Sequence, residues 1–309
     1  MHIPDGFINA PVSASAGLLS AGSLWLSTRA ANKFLANKFI AIAGMMSALI
    51  FVLQMINFPI GAGTSGHILG GALAVIILGP SLGIICVSIV VIIQALIFAD
   101  GGLSALGINI LNMSIVTGLV GWFVISLWKK VFGNNNYSLI LGSFVAGMLS
   151  VIMSSLAFVI EYALGGTVSV QISSVFVAMV TSHFLIGIGE GVITAVIISL
   201  LLNVRSDMVF IAKSKETGRK STSIIGLLIF LSLSLVLLAP LASSSPDGLE
   251  AVAQEFNFKN DNSVATFLEG YSIPLISNSY VSIILSGILG VFVLIVFTNL
   301  YLVFIRKES

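Results

Sequence analysis

Met1, His2 and a histidine 65 positions further on, His67 in the run Gly63-Thr64-Ser65-Gly66-His67, are the residues of this chain best suited to holding a metal ion. A free α-amine, the His2 amide nitrogen and the His2 imidazole close two fused chelate rings. One coordination position is then left for another nitrogen, such as a ring nitrogen of His67. Such a nitrogen-rich set suits Ni²⁺ or Co²⁺. The argument needs Met1 to survive as the true N-terminus; methionine excision requires a small second residue, and histidine is not small. The plainer alternative is a start codon followed by an ordinary terminal histidine.

Further polar residues stand out against the apolar background. Ser65, beside His67, and Asp100, in Phe98-Ala99-Asp100-Gly101-Gly102, fall in loops that can border the same pocket. Asn109 and Asn112, three apart, share one helix face and could bond ligating histidines from outside the coordination sphere; the same residues also suit interhelical hydrogen bonding. His183 and Glu190, seven apart, lie two turns along one face, where ionisable groups imply a partner or an ion pathway; of the two, a structural role is favoured. Glu161 is expected at the membrane interface. Ala43 with Ser47 and Gly44 with Ala48 form a flat strip for close helix contact, within the chain or against another subunit.

The elements that position these residues must be membrane helices. Charged residues make up 8% of 309 and apolar ones 57%, a composition that excludes a soluble globular domain. The net charge of +1, with dispersed Lys and Arg, gives no basis for nucleic-acid binding. Cys86, alone within an apolar run, reads as a packing residue. Neither a Walker A pattern, a Ser/His/Asp constellation nor a His-Glu-x-x-His pattern occurs, so the chain is expected to be no enzyme and to hydrolyse no ATP itself. The first thirty residues lack the basic start of a secretory signal peptide.

Spans of about 20 apolar residues predict an all-α polytopic membrane protein of about nine transmembrane helices: 9–28, 38–58, 66–80, 81–99, 106–128, 137–162, 173–203, 222–242 and 279–304. With the N-terminus outside, twelve of the thirteen Lys and Arg residues fall on the cytoplasmic side, and only Lys259 does not. Met1, His2, the loop before His67 and Asp100 then share the outer face. The polar, basic stretch beginning at Lys213 divides the chain into a seven-helix domain (1–212), a cytoplasmic linker (213–222) and a two-helix appendix (223–309). The appendix carries an acidic outer segment with Asp247, Glu250, Glu255, Asp261 and Glu269.

The stretches Met1-His2-Ile3-Pro4-Asp5-Gly6-Phe7, Ser65-Gly66-His67, Leu78-Gly79-Pro80, Phe98-Ala99-Asp100-Gly101-Gly102, Leu106-Gly107-Ile108-Asn109, Asn112-Met113 and His183-Phe184-Leu185-Ile186-Gly187-Ile188-Gly189-Glu190-Gly191 resemble the CbiM/NikM family. These are the substrate-binding components of energy-coupling-factor transporters for cobalt and nickel. The tail, with Pro246-Asp247-Gly248-Leu249-Glu250, resembles the small two-helix partner of the nickel branch, here fused. The resemblance implies a metal substrate, and no cofactor, held by the Met1 amine, the His2 amide and imidazole nitrogens and a His67 ring nitrogen. It also implies a membrane coupling subunit and cytoplasmic ATPase subunits as partners, and a place in the cell (inner) membrane. Both metals stay open, although a planar site with an amide nitrogen suits Ni²⁺ better and the fused tail leans the same way. The alternative is a secondary transporter driven by an ion gradient, with Glu190 and His183 as a proton relay; it calls for an inverted repeat, and the sequence displays none.

Overall fold

The computed structural model describes residues 1–33, 35–61, 63–212, 222–255 and 266–307. The basic stretch 213–221, Lys259 and Asp261, which entered the reading of orientation and charge, lie outside the described residues. Among the described residues the structure is mostly helical, with one small hairpin. Helix α1 (Ala10–Asn32) is capped by the Asn9 side chain, and α2 (Asn37–Met55) leads into the antiparallel hairpin β1 (Phe58–Gly61) and β2 (Thr64–Gly66). Then come α3 (Gly71–Leu78) and α4 (Pro80–Phe98). Helix α5 (Leu106–Ile110) continues through a π-helical turn, Leu111–Val116, into α6 (Thr117–Phe132). The long α7 (Asn136–Gly165) and α8 (Ile172–Arg205) pair along their length. The appendix contributes α9 (Thr222–Leu238), the short α10 (Gly248–Glu255) and α11 (Ser279–Lys307).

Among the described residues, five helical rods are long and apolar enough to cross a membrane, namely Pro80–Phe98, Leu106–Phe132, Asn136–Gly165, Ile172–Arg205 and Ser279–Arg306; Phe39–Met55 and Ile225–Leu241 are shorter apolar helices. Large apolar side chains such as Phe123, Phe230 and Phe292 are about two-thirds exposed, at 66%, 66% and 63%, as expected where lipid is the solvent. The expected third span, 66–80, is corrected. Its helix is the eight buried residues Gly71–Leu78; Gly66 ends β2, residues 67–70 are neither helix nor strand, and Pro80 already begins α4. At about 1.5 Å per residue such a helix is roughly 12 Å long, too short to cross a hydrocarbon layer of about 30 Å. It is instead the centre of the bundle, packed by α4, α6 and α7.

The appendix lies against this bundle. Helix α11 packs along α2 and α9 packs beside it. The small-residue strip of α2 is used within the chain: a Cβ added at Gly44 would come within 2.6 Å of the Asn299 Oδ1 on α11, and Ala43, Ser47 and Ala48 are buried. The strip therefore offers no surface to a second subunit. Cys86 is buried, its Sγ 3.6 Å from the Ala43 carbonyl, in keeping with a packing role.

Candidate metal centre

The extended N-terminus enters the bundle as a plug of main chain. Asn109, on α5, accepts from the Ile3 N–H through Oδ1 at 2.8 Å and donates to the Ile3 carbonyl through Nδ2 at 3.1 Å. The Gly102 N–H donates to the same carbonyl at 2.9 Å. Asp5 accepts from both the backbone N–H and the hydroxyl of Ser104 at 2.6 Å. With Ile3 and Phe7 buried, the two residues before them have one place to go. Met1 and His2 are themselves buried.

His67 meets them from the other side. Its Nδ1 lies 2.9 Å from the Ile68 carbonyl, which can only accept, so the neutral ring carries its proton there and turns an Nε2 lone pair toward the N-terminus. The Met1 amine nitrogen lies 2.5 Å from that Nε2. The ring of His2 stacks on that of His67, with centroids 5.0 Å apart at 24°. The loop carrying His67 is set from beneath by Glu190 on α8, whose carboxyl oxygens accept from the Leu69 and Gly70 N–H groups at 2.5 and 2.9 Å, at the start of α3. Glu190 is fully buried, and each of its carboxyl oxygens accepts one of these bonds.

Two appendix residues close the site. Asp247 is the N-cap of α10: its Oδ1 accepts from the Leu249 and Glu250 N–H groups at 2.8 and 2.7 Å, while Glu250 accepts from the Asp247 N–H at 2.9 Å. This reciprocal capping box accounts for the spacing of Asp and Glu in Pro246-Asp247-Gly248-Leu249-Glu250. With Oδ1 spent on the helix, Oδ2 faces the Met1 amine at 2.7 Å and stands 3.7 Å from His67 Nε2. Burial alone would raise the Asp247 carboxyl; the N-terminal ammonium reverses this and holds it well below the ordinary carboxylate range. On the far side of His2, Nδ1 lies 2.9 Å from Asp100 Oδ1 and Nε2 lies 3.3 Å from Gln94 Oε1. The Tyr271 hydroxyl donates to Asp100 Oδ2 at 2.5 Å and accepts from Gln94 Nε2 at 3.3 Å. Burial pushes Asp100 up, but His2 and then Tyr271 outweigh it, so it too is depressed; the Tyr271 phenol is raised by burial and by the Asp100 charge. A polar cavity of about 260 Å³ among His2, Gln54, His67, Asp100, Asp247 and Tyr271 lies at the centre.

A family model described as the cobalt uptake substrate-specific transmembrane region, CbiM, matches residues 2–208. The chain belongs to the CbiM family. An Archaeoglobus fulgidus protein provisionally named a fused nickel transport protein, NikMN, is 31% identical over 290 residues, covering 94% of both chains. The cobalt transport protein CbiM of Geobacter sulfurreducens is 28% identical over 251 residues, 77% of this chain and 71% of that one. A crystal structure of a transition metal transporter superposes with a TM-score of 0.61 at 29% identity, covering 69% of this chain and 97% of that one. This CbiM-family chain is accordingly a multi-pass membrane transport protein, similar to fused nickel transport proteins beyond the matched region as well.

Other polar residues of this CbiM-family protein act at a remove from the histidines. Asn109 bonds the Ile3 backbone, as above. Asn112, in the π-helical turn, donates to Glu161 Oε2 at 2.6 Å, and Glu161 is buried within the bundle near the end of α7. Ser154 ties this pair to the site, donating to the Asn112 carbonyl at 2.9 Å with its hydroxyl 3.3 Å from the Met1 Sδ. Ser65 joins the bundle to the appendix: its N–H donates to the Pro246 carbonyl at 2.8 Å and its hydroxyl to the Ser245 carbonyl at 2.6 Å. Sequence reasoning missed Gln94, Tyr271 and the contact of Asp247 with Met1. The capping-box spacing around Asp247 was a signal for a helix start, but not for what its second oxygen would meet.

Proposed function

We propose that this chain is the metal-binding component of an ATP-driven energy-coupling-factor transporter, importing Ni²⁺ or Co²⁺ with a separate membrane coupling subunit and cytoplasmic ATPase subunits. The ion is held by the Met1 amine, the His2 amide and imidazole nitrogens, and His67 Nε2. The observation that carries this reading is the approach of the Met1 amine to the lone-pair nitrogen of His67, at 2.5 Å. Adjacent donors around a metal with bonds near 2.0 Å stand roughly 2.8 Å apart in a planar site, so little movement turns a shared proton into a shared metal. In the same exchange His2 Nδ1 releases Asp100 to face the ion.

The fused appendix, shared along its length with a protein whose name specifies nickel, favours Ni²⁺, as does coordination by an amide nitrogen. In this reading the N-terminus faces outward in the cell membrane, supported by the bias of Lys and Arg toward the opposite side. The test is metal content and X-ray absorption of the purified protein with its native N-terminus, beside a form with one extra residue before Met1. The native form is expected to hold one ion in nitrogen coordination and the extended form none. Equal binding by both would remove Met1 from the site and the proposal with it.

A further inference from the structure

The chain has three histidines, and His183 is the one outside the coordinating set above. It is 1% exposed on the face of α8 that also carries Glu190. Its Nδ1 lies 2.8 Å from the Met179 carbonyl one turn back, with the Ser182 hydroxyl at 3.1 Å. A carbonyl oxygen can only accept, so in the neutral ring Nδ1 carries the proton and Nε2 carries a lone pair. Among the described residues Nε2 has no hydrogen-bond partner. A buried imidazole with an idle acceptor costs stability that an apolar side chain of similar volume would not. Packing alone gives no reason for a histidine here.

The surroundings point to a ligand. Gly248 packs beside the ring: a Cβ there would stand 2.9 Å from Ser182 Oγ and 3.4 Å from His183 Cε1, the carbon between the two ring nitrogens. The residue before it is Asp247, whose Oδ2 reaches the Met1 amine. Asp247 also lines a second opening of about 180 Å³ with His2, Asp5, Asp100 and Glu250, a carboxylate-rich mouth suited to a cation. The ring of His183 thus lies against the turn that carries Asp247, and Asp247 lines both this mouth and the central cavity.

We propose that His183 contacts the transported ion during loading: its Nε2, together with the Asp247 carboxylate, holds a divalent transition-metal ion before Met1, His2 and His67 take it. The inference rests on the function proposed above. One imidazole and one carboxylate, with water completing the shell, form a weak site that loses the ion to a set of four nitrogens, as a transfer position requires.

The test uses the full chain in lipid nanodiscs, with Co²⁺ as the probe. His183→Asn keeps an amide donor for the Met179 carbonyl and removes the Nε2 lone pair. Its equilibrium occupancy and X-ray absorption spectrum should match those of the parent protein, while stopped-flow loading slows at least tenfold. Loading at the parent rate overturns the proposal, whether or not melting shifts. Loss of equilibrium occupancy with unchanged melting also overturns it, because His183 would then belong to the final site. A second measurement is independent of that site: ¹⁵N spectra of the remaining imidazoles in His67→Ala, titrated with Zn²⁺. The His183 Nε2 resonance should move as directly ligated nitrogen does, and an unmoved resonance overturns the assignment. If the parent protein instead binds no Co²⁺ in nitrogen coordination, the proposed function fails on its own, and the Zn²⁺ titration still decides whether His183 meets metal.

Discussion

The N-terminal plug and the Asp247–Glu250 turn reach the same point from opposite ends of the chain, and they are held there by different means. The plug is fixed through its backbone: both polar groups of Ile3 are bonded to Asn109, Gly102 adds a third bond, and the histidine loop facing it is tied down by Glu190. These bonds are buried among bundle helices, so removing any partner strands a polar group where water cannot reach it. The appendix turn satisfies most of its polar groups internally, through its capping box, and touches the bundle through Ser65 and through Oδ2 of Asp247. The first arrangement is part of the fold; the second is a self-contained piece docked on it. In the function proposed above, a site that admits and releases an ion would use one wall of each kind.

That contrast can be broken on either side. The largest effect is expected from Glu190→Ala, which strands the Leu69 and Gly70 N–H groups and should destabilise the whole bundle by about 2–6 kcal/mol, at about 1–3 kcal/mol per buried group. Thermal melting in detergent measures it, and melting unchanged within a degree would mean that the loop does not depend on α8. Asp247→Ala comes next. It leaves the Met1 ammonium without its buried partner, at about 3–5 kcal/mol, and the loss should stay local. Hydrogen exchange is expected to rise over Leu249–Glu255 while α3 and α4 keep their protection; a uniform rise would merge the two regions into one cooperative unit.

Acid supplies a gentler version of the same experiment. Asp247 titrates lower in the folded chain than in an open one, so its contribution is complete above the ordinary carboxylate value of about 4 and is lost as pH falls through the depressed value. Exchange over Leu249–Glu255 should therefore accelerate below about pH 4, after correction for intrinsic rates, and show no such step in Asp247→Asn. Tyr271→Phe removes one bond to a charged carboxylate and should cost about 1.5–3 kcal/mol of docking, read as earlier exchange in the segment from Leu268 to Tyr271. The smallest effect belongs to Glu250→Gln, which keeps an acceptor for the Asp247 N–H and should change turn stability by under about 1 kcal/mol. A larger change would show that the charge of Glu250 acts on the cation mouth, beyond its part in the cap.

Much of this was legible before any coordinates. Long apolar runs bounded by Lys and Arg can only be membrane helices, and Met1, His2 and His67, singled out by residue type, are brought together in the structure. Glu190 was legible in kind, since a buried carboxyl must be satisfied. Its partners were not, because backbone N–H groups carry no side-chain signature. Asn112 and Glu161 are 49 positions apart and nothing local marks them as a pair. The third span misled because His67 to Gly70 is as apolar and glycine-rich as a helix start; only the bonds from Glu190 show that those N–H groups are satisfied outside a helix.

The sequence by itself determined the solvent, the helices, their order and the donor atoms on offer, because hydropathy and residue chemistry are properties of short stretches. The tertiary structure decided which donors meet: that the Met1 amine faces His67, that Asp247 faces both, and that, among the described residues, His183 Nε2 has no hydrogen-bond partner. Such meetings depend on the packing of helices distant in sequence, and on buried polar groups finding partners wherever the bundle brings them together.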